Sequence, residues 1–219
     1  DGCYTVMVDT NEADPEAPSF THPDFDPVWT RFAERDVPLV VHIAVNGHYD
    51  PVSPSFKNNG RGSTGVGGDA PDSNLGLVAM HNSAELFLSA MILDEVFERH
   101  DGLRCLSLEH GASWVPGWLH KLDFVERSTR PVAPRSRRAS DVARERVRFA
   151  PFAGEPIGWL IEQLGPDMLC FASDYPHPEG SSDPIRKFEA TMDGVDPAAV
   201  EAFYAGNVER FLGTAPTSV

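Results

Sequence analysis

Five short runs of consecutive apolar residues constrain this chain more than any other feature: Cys3–Val8, Pro38–Ile43, Leu103–Leu108, Arg146–Ala150 and Met168–Ser173. In LVVHIAV and DMLCFAS the apolar residues follow one another instead of alternating, the pattern of a strand buried on both faces. Helix signals stand between these runs. Asp26-Pro27 opens FDPVWTRFAERD with an N-cap aspartate and a proline at the first helical position. Ser83–Arg99 reads as one amphipathic helix with Leu86, Met91, Leu93 and Phe97 on a single stripe, stopped by His100-Asp101-Gly102. Asp196-Pro197 opens a last helix through Phe211, closed by Gly213. Strand–helix alternation with buried strands predicts an α/β domain on a parallel sheet. The 219 residues suit one domain spanning 1–219. Five strands would complete an open doubly wound sheet, whereas a closed (β/α)8 barrel needs eight and about 250 residues. Spacing alone leaves the two open.

Charge narrows the partners. The chain has 33 acidic and 18 basic residues, a formal net charge of −15. Such a surface repels phosphate backbones and anionic lipid but tolerates metal cations, so a small-molecule substrate is expected, with no nucleic acid and no membrane partner. No apolar run approaches the ~20 residues of a bilayer span, and DGCYTVMVDT carries no basic leader. Cys3, Cys105 and Cys170 all lie in apolar stretches and form no CxxC pair, which argues against zinc knuckles and redox dithiols. A cytoplasmic location is expected.

Several motifs lead nowhere. Gly60-Arg61-Gly62-Ser63-Thr64-Gly65 is a literal GxGxxG, but no strand feeds it and no helix leaves it, as dinucleotide binding requires. It belongs to the Gly/Pro/Asn-rich segment 46–76, read as a mobile active-site lid because it follows the second strand and offers few aliphatic anchors. Arg127–Arg148 holds eight of the eighteen basic residues and reads as a solvated excursion. Glu98-Arg99-His100 ends a helix, where a histidine complements the dipole. GxSxG, GxxxxGK[ST] and HExxH are absent from the sequence.

The chemistry-bearing residues end strands. His42 closes PLVVH, His110 closes LSLEH and Asp174 closes LCFASD. In a parallel α/β domain those ends face one crevice, where ligands bind whether the sheet is open or closed. Imidazole and carboxylate together suit zinc, manganese or iron, or acid–base work.

These segments resemble the amidohydrolase-related branch of the metal-dependent hydrolases, near the aminocarboxymuconate semialdehyde and resorcylate decarboxylases. FASDYPHPEG is similar to that family's last-strand signature and LSLEHGASWVPGWLHKLD to its sixth-strand segment. FDPVWTRFAERDVPLVVH resembles the fifth, and AFYAGNVERFLG the terminal helix. The resemblance implies a (β/α)8 TIM-type barrel with one divalent metal ion, zinc first and manganese second. It further implies a hydrolase or non-oxidative decarboxylase acting on a small organic acid or carbonyl compound. His42 and Asp174 would be metal ligands, Asp174 also taking a proton, and His110 would be an acid–base group off the metal. His177, His81 and Trp114 would lie on the substrate side.

One departure is large. The family's first strand carries His-x-His or Glu-x-His, and this chain has no His-x-His and only the misplaced Glu98–His100 pair. Aligned on the resemblance, its strands are the fourth to the eighth, so it looks like the C-terminal part of a barrel. Its open edges would then favour a homo-oligomer or aggregation. The competing reading is an inactive barrel piece that serves as a scaffold.

Overall fold

The computed structural model describes residues 4–8, 16–43, 52–60, 62, 73–128, 135–177 and 180–213. Its centre is a four-stranded, wholly parallel sheet of β1 (Val6–Val8), β2 (Leu39–His42), β3 (Cys105–Leu108) and β4 (Val147–Phe149), in that spatial order. The register runs Val40 beside Met7 and Leu106, and Leu106 beside Arg148. The fifth apolar run joins through a single parallel bridge, Phe149 to Leu169, with the Cys170 amide donating to the Phe149 carbonyl at 2.9 Å. All five runs therefore lie side by side in chain order, each followed by helix, as a right-handed βα progression lays them down.

Two layers of side chains sandwich the sheet. Leu39, Val41, Cys105, Val147 and Phe149 face the larger cluster, built with Phe87, Met91, Phe97, Trp118 and Leu160 from the covering helices. Val40, Leu106 and Cys170 face the other way, under Phe211 of the helix Asn207–Leu212. The alternation of adjacent residues between the two layers explains why these strands read as unbroken apolar runs. Phe171, by contrast, packs with Phe188 and Phe203 in the larger cluster, so Cys170 takes the place beside Val40 and Leu106.

Three helical expectations change. The stretch expected as one helix from Ser83 is Asn82–Leu93 followed by Val96–Arg99, broken where Glu95 adopts φ 60°. Leu86 and Leu93 lie on its exposed side while Phe87, Leu88, Met91 and Ile92 are buried. This helix is apolar almost all round, so its sequence does not single out one face. Together with Asn74–Ala79 it makes the 20-residue stretch Asn74–Leu93, which by length and composition alone is apolar enough to cross a bilayer, contrary to the expectation that no apolar run approaches that length. Asp26 is not a cap but the first residue of the helix Asp26–Glu34; its carboxylate instead takes Arg99 at 2.9 Å and His100 at 3.0 Å. The last helix runs Pro197–Glu201, a π turn Ala202–Gly206 and Asn207–Leu212, with Gly213 at φ 69°. Asn207, 1% exposed, ties it to the fifth run by donating to the Pro166 and Leu169 carbonyls.

Cys105 and Cys170 are free and buried, and burial pushes both thiols up to about 12. Cys3, most of segment 46–76 including residues 61 and 63–65 of its GxGxxG, and 129–134 of the basic excursion lie outside the described residues. With Cys3 replaced by serine, the two remaining thiols should ignore a disulfide reagent at pH 8 and react only on unfolding, because the thiolate is the nucleophile. Rapid labelling of native protein would contradict their burial.

Candidate active site

β2, β3 and the fifth run end on one side of the sheet, and there the chain places His42, Glu109, His110 and Asp174. Glu109 follows β3 at φ 58° and Asp174 follows the fifth run at φ 53°. A non-glycine residue in the left-handed region costs roughly 1–3 kcal/mol and persists only where its surroundings over-determine it; such residues gather at functional sites. The two turns bring the carboxylates together. One ligand atom each from Glu109, Asp174 and His177 lies within 4.8 Å of the others, and His177 Nδ1 is 3.9 Å from Asp174 Oδ1.

His42 stands beside this trio. Its Nε2 is 3.2 Å from Glu109 Oε1 and its Nδ1 is 2.7 Å from the Ile43 carbonyl. The bond to Glu109 raises the His42 pKa above the ordinary imidazole value. Burial works to raise that of Glu109, but the His42 bond and charge outweigh it and the carboxyl is held below its usual value. Among the described residues, Glu109 Oε2 is a buried oxygen to which no hydrogen bond is donated. An orphaned carboxylate oxygen beside a second carboxylate and an imidazole is a donor set that suits a divalent cation.

His110 sits deeper, 2% exposed, with Nδ1 3.0 Å from Ser107 Oγ and Nε2 3.4 Å from Ser83 Oγ. Burial, seconded by the charge of His42, lowers its pKa to about 4. The imidazole is therefore neutral at pH 7, a proton acceptor. Trp114 lies behind it, donating from Nε1 to the His110 and Gly111 carbonyls at 3.1 Å, and His81 stacks on the Trp114 ring at 5.3 Å. Neither His81 nor Trp114 lines the cavity in front of the carboxylates. That cavity, about 120 Å³, is walled by His42, Glu109, Asp174 and the apolar Ala150, Pro151, Phe152 and Ala172.

The acid limb of stability should report His110. Its folded pKa lies below the unfolded value near 6.5, so below that pH the unfolded chain binds a proton the native one refuses, and stability falls with pH. About 2.5 pH units at 1.36 kcal/mol each is roughly 3 kcal/mol, lost progressively between about pH 6.5 and 4. Denaturant melts of metal-free protein should show this limb flattened in His110→Asn; an unchanged limb would exclude it.

The sequence had singled out His42, His110, Asp174 and His177, and the fold gathers all four at one end of the sheet. It passed over Glu109, Ser107 and Ser83. Glu109 was visible as the residue between a strand and its terminal histidine, but a carboxylate there reads equally well as a solvated turn.

Carboxylates and imidazoles converging at the strand C-termini of a parallel α/β domain occupy the end of the sheet where such folds bind their ligands. The chain belongs to the amidohydrolase family, whose sequence profile matches residues 4–214. No curated protein matches it. Among solved structures it is similar to an amidohydrolase from Mycobacterium avium subsp. paratuberculosis K-10, with 23% identity and TM-score 0.78 over 97% of this chain and 52% of that one. It also resembles 5-carboxyvanillate decarboxylase from Sphingomonas paucimobilis, at 20% identity and TM-score 0.66 over 94% of this chain and 57% of that one. A third is a dihydroxybenzoic acid decarboxylase from Polaromonas sp. JS666 with bound manganese and the inhibitor 2-nitroresorcinol, at 17% identity and TM-score 0.67, covering 96% and 61%. The chain thus spans between half and two thirds of the length of these structures.

Proposed function

We propose that this chain forms part of the active site of a metal-dependent enzyme acting on a small organic acid, with non-oxidative decarboxylation as the reaction and carbonyl hydrolysis as its near relative. The observation that carries the reading is the convergence of Glu109, Asp174 and His177 beside His42 at the strand ends. Asp174, Glu109 and His177 would hold one divalent ion, manganese or zinc, and His42 would either restrain Glu109 or join them as a ligand. When bound, the ion supplies positive charge that offsets the two carboxylates and polarises a substrate oxygen.

The chain's own residues do the rest. The two carboxylates would repel an anionic substrate in the absence of a cation. The apolar wall of Ala150, Pro151, Phe152 and Ala172 excludes water and limits the cavity to a small molecule. His110, neutral and fixed between two serine hydroxyls, accepts a proton at one ring nitrogen and returns it later in the cycle. Residues 4–8 onward would correspond to the later strands of a (β/α)8 barrel, the fourth to the eighth, with the earlier strands completing the ligand set. The inactive-scaffold reading is not favoured by the gathered donors.

Manganese-loaded protein incubated with a panel of small aromatic and aliphatic carboxylic acids should release CO2 from at least one. Cleavage of amides or lactones with no CO2 release would move the assignment to hydrolysis. Absence of bound metal after loading, with no turnover of either kind, would remove the proposal.

A further inference from the structure

One carboxylate outside this constellation is committed entirely to backbone. Glu155, in the loop between β4 and the helix Ile157–Leu164, accepts four hydrogen-bond contacts from three amides. Oε1 takes Ser113 N at 2.7 Å and Ala112 N at 3.1 Å; Oε2 takes Phe152 N at 2.6 Å and Ala112 N at 3.0 Å. The Ala112 and Ser113 amides belong to the turn just ahead of the helix Val115–Ser128, and the Glu155 carboxylate satisfies both. Glu155 thus gathers the amides of the turn that leads into this helix. It also clamps the turn after β3 to the turn after β4.

That clamped turn is the strained one. Within three residues it holds Glu109 at φ 58° and Gly111 at φ 64°. A methyl group on Gly111 would lie 3.0 Å from the Phe152 ring and 3.1 Å from Glu155 Oε2, so the two loops meet with no room to spare. From this turn Glu109 reaches Asp174 and His177, and His110 reaches Ser107 and Ser83. We infer that Glu155 is a positioning residue: by fixing the backbone of 109–113 from across the β4 loop, it sets where the Glu109 and His110 side chains are delivered. The inference rests on the function proposed above only for what those side chains then do.

The test uses the full chain, 15N-labelled, with Glu155→Gln, whose amide group faces the same N–H donors with hydrogens of its own. Exchange of the Ala112, Ser113 and Phe152 amides should quicken by about ten-fold or more, the Glu109 and His110 resonances should shift, and Mn2+ affinity should fall about ten-fold, the usual worth of a group that orients a ligand. Asp196→Ala supplies the structural control, because it removes a cap on Ala198 N far from the site. It should lower the melting temperature and leave Mn2+ affinity alone. If Glu155→Gln does not fold, Glu155→Asp keeps the charge on a shorter arm and should show smaller shifts of the same sign. Unchanged 109–113 resonances and exchange in a folded variant would overturn the inference, as would equal Mn2+ weakening in Asp196→Ala. Should the unmutated chain bind no Mn2+, the proposed function fails while the exchange and resonance arms still judge Glu155.

Discussion

Asp174→Asn is expected to abolish stoichiometric binding of Mn2+ or Zn2+ and, with it, turnover. Groups that merely orient a metal ligand already cost about 10–100-fold in affinity when mutated, so a direct carboxylate ligand should cost at least about 100-fold. The substitution is nearly isosteric and removes one of two carboxylates whose oxygens lie within 4.8 Å of each other, so the fold has no reason to fail. Far-UV circular dichroism and the melting curve of metal-free protein should stay close to the unmutated chain. Calorimetric titration with Mn2+ gives the decisive reading. A variant that binds one ion with undiminished affinity would show that Asp174 is not a ligand and that the carboxylate cluster has another purpose.

His110→Asn should separate chemistry from metal. Asn can still engage Ser107 or Ser83 but cannot exchange a proton near neutral pH, so turnover should fall by about 10²–10⁴ while metal content is retained. The ring lies outside the Glu109–Asp174–His177 trio and is held by the Ser107 and Ser83 hydroxyls, which is why metal should survive. Metal analysis and single-turnover rates on the same preparation make the comparison direct. Parallel loss of metal and rate would make His110 a ligand. A rate within a few-fold of the unmutated chain would mean that some other group carries the proton.

The contrast between His42 and Glu109 shows how far residue order reaches. His42 was legible because an imidazole at the end of an apolar run is unusual, and a parallel sheet sends every such end to the same side. Glu109 was not, because its significance lies in a left-handed φ of 58° and in two partners, Asp174 and His42, that are 65 and 67 residues away in the chain. Glu155 was hidden for the same reason. Its partners are main-chain amides of residues 112, 113 and 152, and amides have no signature in a sequence. The helix Asn82–Leu93 marks the opposite limit: its apolar character was plain, but with hydrophobic residues on nearly every side only the neighbours that arrive, Trp118 and Phe97 among them, choose which face is buried.

By itself the sequence determined the parallel α/β class, four strands and the place of a fifth run beside them, and the set of strand-end histidines and aspartate, since each follows from local periodicity and from the one-sided geometry of a parallel sheet. The tertiary structure decided which donors actually meet. Coordination-scale proximity of Glu109, Asp174 and His177, the serine contacts of His110 and the Glu155 clamp all depend on backbone turns and long-range approach to within a few ångströms. Local periodicity carries no information at that length scale, because a one-residue change in a turn redirects a side chain without altering the pattern around it.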